Sequence, residues 1–144
     1  SYLKDWKAFY EERDDRIVIC DRYVTSNMLH QTAKLDTLEE KLDFLDWEYD
    51  FEYVKGGLPV PDYVFFLDVK PEVTFRLMRD RENKITHKAK KDIHENNREF
   101  LIRSYENSMI LCEKYGWIRV DCCDEDGNMR SIEDIHGRIC GLLD

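Results

Sequence analysis

Asp21 and Arg22 stand where an apolar run ends and a polar stretch begins. Residues 16–20, RIVIC, show almost no polar alternation, which is typical of a parallel strand covered on both faces. A carboxylate after such a strand is the form in which phosphoryl-transfer enzymes hold magnesium. The neighbouring guanidinium offers a planar fork for phosphate. An alternative is that Asp21 caps the following turn and Arg22 pairs with a surface acid, but the adjacent T-S-N favours the phosphate site.

A second cluster of polar side chains follows within two helical turns. Asn27 lies three residues before His30 and four before Gln31, so these side chains and Ser26 can share one face of a helix. Amide side chains read the edge of a nucleobase through paired donors and acceptors. The alternative is an exposed polar helix start, which would be the better interpretation without Asp21 and Arg22.

Residues 79–91 carry a net positive charge in an otherwise acidic chain. A mobile basic loop that closes over phosphates would exclude water and stabilise transition-state charge, whereas the alternative is a solvated charged loop. The stretch carries one histidine and six basic residues, namely His87 with Arg79, Arg81, Lys84, Lys88, Lys90 and Lys91.

The order of the elements predicts an α/β fold. Strands are expected over 16–20, 62–69 and 117–121, separated by helical patterns. Strands that alternate with helices favour a parallel sheet with helices on both faces, in one domain over residues 1–144. Ligands bind such sheets at the carboxyl ends of the strands, where Asp21 and Arg22 would lie.

The helix boundaries have local signals. We expect a helix over 2–13, one capped by Thr25 or Ser26, and a long helix over about 95–115 that Gly116 ends. Thr37 with Glu40 forms a capping box for a helix that Gly56-Gly57 ends, and its predicted apolar stripe is Leu38, Leu42, Leu45 and Tyr49. Further signals are a helix start at Pro71 with Phe75 and Met78 facing inward, a turn over 124–128, and a helix start at Ser131.

Composition excludes several classes of protein. The formal net charge of −9 argues against general nucleic-acid binding, which needs a basic face. No apolar run approaches the roughly 20 residues of a membrane span, and no signal peptide opens the sequence. Five cysteines without a C-x-x-C pattern predict core thiols in a reducing, cytoplasmic compartment.

Three stretches together resemble thymidylate kinases, in a form similar to clostridial and related bacterial members. The resemblance implies a P-loop NTPase-type fold, a homodimer, and transfer of the γ-phosphate of ATP to dTMP with Mg²⁺. It covers most of the chain in the right order, through DRYVTSNMLHQ, LPVPDYVFFLDVKPEVTFRLMRDR and KKDIHENNREFLIRSYENSMILCEKYGWIRVDC.

The resemblance also implies roles for individual residues. Asp21 would help to order magnesium through water, and Arg22 would bind the dTMP phosphate. Tyr23, Ser26, Asn27, His30 and Gln31 would complete the nucleotide site, with Ser26 and Asn27 against thymine, Gln31 near the base or sugar, and His30 where many members place a tyrosine.

The basic stretch matches the lid of this family, over about residues 79–95. Arg81 is the residue expected to contact the transferring phosphate, which would make Asp21, Arg22 and Arg81 the catalytic set. The other lid residues implied by the match are Arg79, Lys84, Lys88, Lys91, Asp92 and Glu95.

One family motif is absent from these 144 residues. Family members begin with a strand and G-x-x-x-x-G-K-[ST], whose backbone amides cradle the ATP phosphates, and no such motif occurs here. We therefore expect an N-terminally incomplete domain that cannot transfer phosphate from ATP alone. The strands at 16–20 and 62–69 would then face a gap with unpaired backbone groups.

Two alternatives stay open at this point. A deoxynucleoside kinase shares an acidic-Arg motif after a similar strand, and would act on thymidine rather than dTMP. A degenerate, non-catalytic nucleotide-binding module would explain the missing phosphate loop, but would not need Asp21, Arg22 and the basic lid.

Overall fold

The computed structural model describes the backbone of residues 17–85 and 91–143, and the side chains of 17–80 and 98–143. The chain divides into two compact units, Ser1–Val60 and Pro61–Asp144. The first unit contains helix α1 (Val24–Thr32), helix α2 (Leu38–Tyr49) and a π-helix (Asp50–Lys55). The second contains β1 (Phe65–Asp68), α3 (Pro71–Ile85), α4 (Lys91–Tyr115), β2 (Ile118–Asp121) and α5 (Ile132–Gly141). The helix predicted over 2–13 lies outside the described residues.

The apolar run before α1 is not a strand. Residues 17–20 have no regular conformation, and the side chains of Ile17 and Ile19 are 88% and 89% exposed. The prediction of a buried strand is therefore wrong for these residues. A strand forms when a neighbouring strand takes up its backbone N–H and C=O groups. None of the strands in the described ranges pairs with 17–20.

Helix α2 begins at the predicted capping box. The Thr37 hydroxyl accepts from the Glu40 N–H at 3.2 Å, and the Glu40 carboxylate accepts from the Thr37 N–H at 3.0 Å. Both bonds satisfy donors that a helix start leaves without partners. Leu45 is fully buried, but Leu38 is exposed, so the predicted apolar stripe begins later than expected.

Replacing Thr37 with Ala should lower the free energy of unfolding by about 1 kcal/mol, because the side-chain half of the capping box is lost. Denaturant unfolding followed by circular dichroism measures this change. Thr37→Ser keeps the hydroxyl and should stay within a few tenths of a kcal/mol of the parent. Equal losses in the two variants would show that the cap does not stabilise α2.

The π-helix continues α2 and ends where the glycine pair was predicted to stop it. The Gly56 N–H donates to the Phe51 carbonyl at 2.7 Å, and Gly57 has a φ of +66°. A Cβ added at Gly56 would lie 2.6 Å from the Glu52 carbonyl oxygen, so the turn requires glycine there. π-helical turns are rare and frequently mark functional sites. This one buries Tyr53 in the first unit.

The second unit is built on a parallel strand pair, which confirms the α/β class. β1 and β2 pair in register from Phe65 with Ile118 to Asp68 with Asp121. The strand predicted over 62–69 is shorter than expected, and Leu67 is exposed rather than buried. Within the described ranges the sheet has these two strands alone, so β1 is not enclosed by strands on both sides.

Three helix boundaries of the second unit lie at the predicted signals, whereas α4 begins at Lys91 rather than at about residue 95. Pro71 is the first residue of α3, and Gly116, with a φ of +66°, ends α4. The Ser131 hydroxyl accepts from the Asp134 N–H at 3.1 Å and caps α5. Met78 is exposed, contrary to the prediction, and Val73 is the buried side chain among the described residues of α3.

The cysteines follow the prediction for core thiols only in part. Cys112, Cys122 and Cys123 are buried, whereas Cys20 and Cys140 are exposed, and none forms a disulfide. Burial raises the pKa of the Cys112 and Cys122 thiols, which keeps them protonated and unreactive. None of the described helices has the length and apolar character needed to cross a membrane.

Candidate functional site

Asp21 and Arg22 form an exposed turn immediately before α1. They do not follow a strand, as the sequence pattern predicted, because residues 17–20 are irregular. Arg22 has a φ of +70°, the left-handed region that a non-glycine residue adopts at a cost of about 1–2 kcal/mol. Strained backbone of this kind clusters at binding and active sites. The Arg22 side chain is exposed at this turn.

Tyr23 anchors the turn. It is the N-cap of α1 in extended conformation, so the prediction that Thr25 or Ser26 caps this helix is wrong. The Tyr23 carbonyl accepts from the Ser26 N–H at 3.0 Å, and its phenol donates to the Pro59 carbonyl at 3.1 Å. Thr25 and Ser26 lie inside the first turn and are half-buried. Tyr23 therefore ties the phosphate-binding candidate Arg22 to the end of the first unit.

Asn27 and Gln31 share one face of α1, as their spacing predicted. The Gln31 amide donates to the Asn27 Oδ1 at 3.2 Å, and the Lys34 ammonium donates to the Gln31 Oε1 at 2.8 Å. The Asn27 Nδ2 donates to the Glu48 Oε1 on α2. The two predicted base-reading amides thus belong to one hydrogen-bonded chain.

Glu48 is a site residue that the sequence analysis missed. Its side chain is buried, and the second oxygen, Oε2, has no hydrogen-bond partner within the described ranges. Burial raises its pKa, and the charge of Glu52 adds to this, while the hydrogen bond from Asn27 opposes it. The available signal was its position one helical turn after Leu45, on the apolar face of α2.

Tyr53 is the aromatic neighbour of this carboxylate. Its ring contacts those of Tyr49 and Tyr23, with centroids 4.9 Å and 6.3 Å away. Its hydroxyl is buried without a hydrogen-bond partner in the described part of the chain. Burial raises the pKa of Tyr53, and the neighbouring tyrosines and Glu48 add to the shift. Tyr53 is therefore a neutral phenol at all physiological pH values.

His30 lies on α1 with an exposed side chain. Partial burial lowers the pKa of His30, and the positive charges of Arg22 and Lys34 lower it further. The ring is therefore neutral at pH 7, with one nitrogen as donor and the other as acceptor. Such a ring can contact a sugar or base without adding to the positive charge of Arg22.

Glu40 and Glu48 give α2 two carboxyls with opposite pKa shifts. Hydrogen bonds from Thr37 lower the pKa of Glu40, whereas burial raises that of Glu48. The lowered pKa of Glu40 stabilises the fold at pH values above the pKa that Glu40 has in the unfolded chain. This contribution is lost as the pH falls through the pKa that Glu40 has in the folded chain. The protonated form of Glu48 favours folding, and that contribution is lost as the pH rises through its folded pKa.

Carbon-detected NMR titration of the two side chains should find the Glu40 midpoint below the ordinary glutamate value and the Glu48 midpoint above it. Thr37→Ala should raise the Glu40 midpoint only in part, because it removes the hydrogen bond from the Thr37 hydroxyl and keeps the one from the Thr37 backbone N–H. The Glu48 midpoint should not move in that variant. Coincident midpoints in the parent would contradict the described burial of Glu48.

The predicted lid falls mostly outside the described side chains. Residues 79–85 belong to α3 and not to a loop, so the predicted mobile loop is wrong for this part. Arg79 is exposed. Helix α4 includes Lys91, Asp92 and Glu95. The side chains of Arg81 and Lys84 and the whole of Lys88 lie outside the described residues.

The carboxyl end of β1 carries a structural ion pair. Asp68 is buried and accepts from Arg119 on β2, with the Arg119 Nε at 3.1 Å. Asp68 also raises the pKa of Tyr105, after burial as the larger cause. This carboxylate is thus engaged by residues of its own unit.

A magnesium site can be assessed from the donor chemistry. In the described residues no group of three or more His, Cys, Asp or Glu side chains could hold a metal ion. Mg²⁺ does not need such a cage, because it takes one or two carboxylates together with waters and phosphate oxygens. The exposed carboxylate of Asp21, next to the phosphate-binding candidate Arg22, fits that mode.

Comparison with known proteins gives a consistent result. The family model "Thymidylate kinase" matches residues 7–120. A probable thymidylate kinase of Methanocaldococcus jannaschii is 27% identical over 141 residues, which is 98% of this chain and 61% of that protein. One of Methanococcus aeolicus is 25% identical over 130 residues, 90% of this chain and 57% of that protein.

The chain thus spans about three fifths of the length of these curated relatives. No solved structure matches it significantly. The family match includes the whole Asp21–Gln31 segment, the π-helix, β1 and all of β2 except its last residue, Asp121. This chain belongs to the thymidylate kinase family.

Proposed function

We propose that this chain carries the dTMP site of an enzyme that transfers the γ-phosphate of ATP to dTMP. The observation that carries the proposal is the exposed, left-handed Arg22 at the start of α1. It stands one and two turns before Asn27 and Gln31, within the segment matched to the thymidylate kinase family. A phosphate held at Arg22 and a base held along α1 make a nucleoside monophosphate the fitting ligand.

The remaining site residues have complementary roles in this proposal. Tyr23 holds the turn through Pro59, and Ser26 offers a hydroxyl in the first turn of α1. His30 remains neutral at pH 7 and contacts the sugar or base. These side chains follow one another along the first helix, so a nucleotide can contact them without a contribution from another element.

Magnesium and ATP complete the proposed reaction. Asp21 would hold Mg²⁺ through water, and the ion would offset the negative charge of the phosphates. Arg81 is proposed to contact the transferring phosphate, with Arg79, Lys84, Lys88, Lys91, Asp92 and Glu95 forming the lid. A single kinase-like domain, a cytoplasmic homodimer and no nucleic-acid partner belong to the same proposal.

The 144-residue chain should bind dTMP without turning it over. Its sequence contains no G-x-x-x-x-G-K-[ST], so no backbone cradle for the ATP phosphates is present in it. A coupled assay with dTMP, ATP and Mg²⁺ should therefore give no dTDP. Formation of dTDP by the purified chain would contradict this part of the proposal.

Calorimetric titration with dTMP and thymidine tests the proposed substrate class. Arg22 should make dTMP the tighter ligand by about 10-fold or more, since hydrogen bonds to charged groups contribute about 1.5–3 kcal/mol. Equal affinity for thymidine would instead favour a deoxynucleoside kinase. If neither dTMP nor thymidine binds, the proposed nucleotide site is wrong.

A further inference from the structure

Glu48 requires an explanation beyond packing. Its side chain is 1% exposed, and the described hydrogen bond to its carboxylate comes from the Asn27 amide. Its other oxygen has no partner in the described part of the chain. A buried carboxylate with so few hydrogen bonds destabilises a fold unless it is paired, so a purely structural role is better served by an apolar residue.

The contacts of Glu48 belong to a chain with a fixed direction. Lys34 can only donate, and it donates to the Gln31 Oε1. This leaves the Gln31 NH₂ group to donate to the Asn27 Oδ1. At the other end an ionised Glu48 can only accept, and it accepts from the Asn27 NH₂ group. An obligate donor and an obligate acceptor therefore set the orientation of both amides between them.

The orientation matters because each amide presents two different groups. An asparagine side chain has two N–H donors and two acceptor lone pairs. The described bonds of Asn27 use one of each, and its side chain is exposed. One N–H and one lone pair are thus left for a ligand, in an order that the ends of the chain determine.

We propose that Glu48 is a positioning residue that sets the base specificity of Asn27, so that the site selects thymine over cytosine. This inference rests on the proposed dTMP site. Thymine presents the O4 acceptor beside the N3–H donor, whereas cytosine presents an N4–H donor beside the N3 acceptor. An amide held in one orientation matches the first order and opposes the second.

The test compares affinities for dTMP and dCMP, measured by calorimetry on the full chain. The parent should prefer dTMP by about 10-fold or more, as expected for a bidentate amide–base contact. Glu48→Gln can either donate or accept, so Asn27 is then oriented from the Lys34 end alone, and the double variant Glu48→Gln/Lys34→Met removes both constraints. The double variant should reduce the preference by at least about 5-fold. Glu39→Gln, the same charge change on the exposed surface of α2, is the matched control and should leave the ratio unchanged.

The ratio of the dTMP and dCMP affinities separates a positioning role from general destabilisation, because loss of structure lowers both affinities together. Lys34→Met provides a second variant on the exposed surface of the first unit, where folding is not at risk. It removes the obligate donor and should reduce the preference in the same direction, with Lys41→Met as its control. These two variants decide the question if Glu48→Gln does not fold.

The outcomes distinguish the inference from the function on which it rests. If the parent binds no dTMP, the proposed function and this inference both fall. If the parent prefers dTMP and the ratio is unchanged in Glu48→Gln, in Lys34→Met and in the double variant, the dTMP site stands and the positioning role is overturned. A fall in the ratio in these variants, with both controls at the parent value, supports it.

Discussion

Arg22→Gly should abolish most dTMP binding without destabilising the fold. The loss of a charge-assisted contact to phosphate should weaken binding by about 10- to 100-fold. Glycine adopts the φ of +70° without the steric cost that arginine bears there. That relief, about 1–2 kcal/mol, offsets the greater flexibility of glycine in the unfolded chain, about 0.5–1 kcal/mol. Calorimetry and denaturant unfolding measure the two effects.

Arg22→Gly is informative because it should lower the affinity for dTMP while keeping or slightly raising the free energy of unfolding. Arg22→Ala should lose the same affinity without the gain in stability, because alanine keeps the strained backbone. Arg138→Ala, on the exposed surface of α5, removes the same charge and should leave dTMP affinity unchanged. Unaltered affinity in Arg22→Gly would exclude Arg22 from the site, and a large loss of stability would show that the turn is structural.

Leu45→Ala should lower the free energy of unfolding by about 2–5 kcal/mol. Leu45 is 0% exposed in the first unit, and removing a buried isobutyl group forfeits its burial and leaves a cavity. The change lies one turn before Glu48 on α2. Affinity for dTMP should therefore also fall, because α2 positions the carboxylate that contacts Asn27.

Leu38→Ala is the matched control for that prediction. Leu38 lies on the same helix and is 57% exposed, so the same truncation should change the free energy of unfolding by less than about 0.5 kcal/mol. Urea unfolding monitored by tryptophan fluorescence, with Trp47 on α2, reports both values. A loss at Leu38 equal to that at Leu45 would contradict the described core of the first unit.

The helix boundaries could be predicted from sequence where the signal is local. Thr37 with Glu40, Ser131 with Asp134, and Gly116 act within one turn of the helix that they start or stop. Residues 17–20 show the opposite case. An apolar run indicates that burial of the segment is favourable, but a strand also needs a neighbouring strand to pair with, which the run itself does not specify.

The candidate site was predictable to the same extent. The spacing of Asn27 and Gln31 correctly placed two amides on one helical face. Glu48 could not be assigned from spacing alone, because it reaches α1 through the packing of two helices. The left-handed backbone of Arg22 was equally hidden, since arginine carries no preference for that conformation.

The most direct test of the central proposal is an NMR titration of the ¹⁵N-labelled chain with dTMP. We expect the largest chemical-shift changes at the backbone amides of Arg22 and Ser26 and at the side-chain amides of Asn27 and Gln31. Shifts that centre elsewhere, or no shifts at saturating dTMP, would contradict a nucleotide site built on the start of α1.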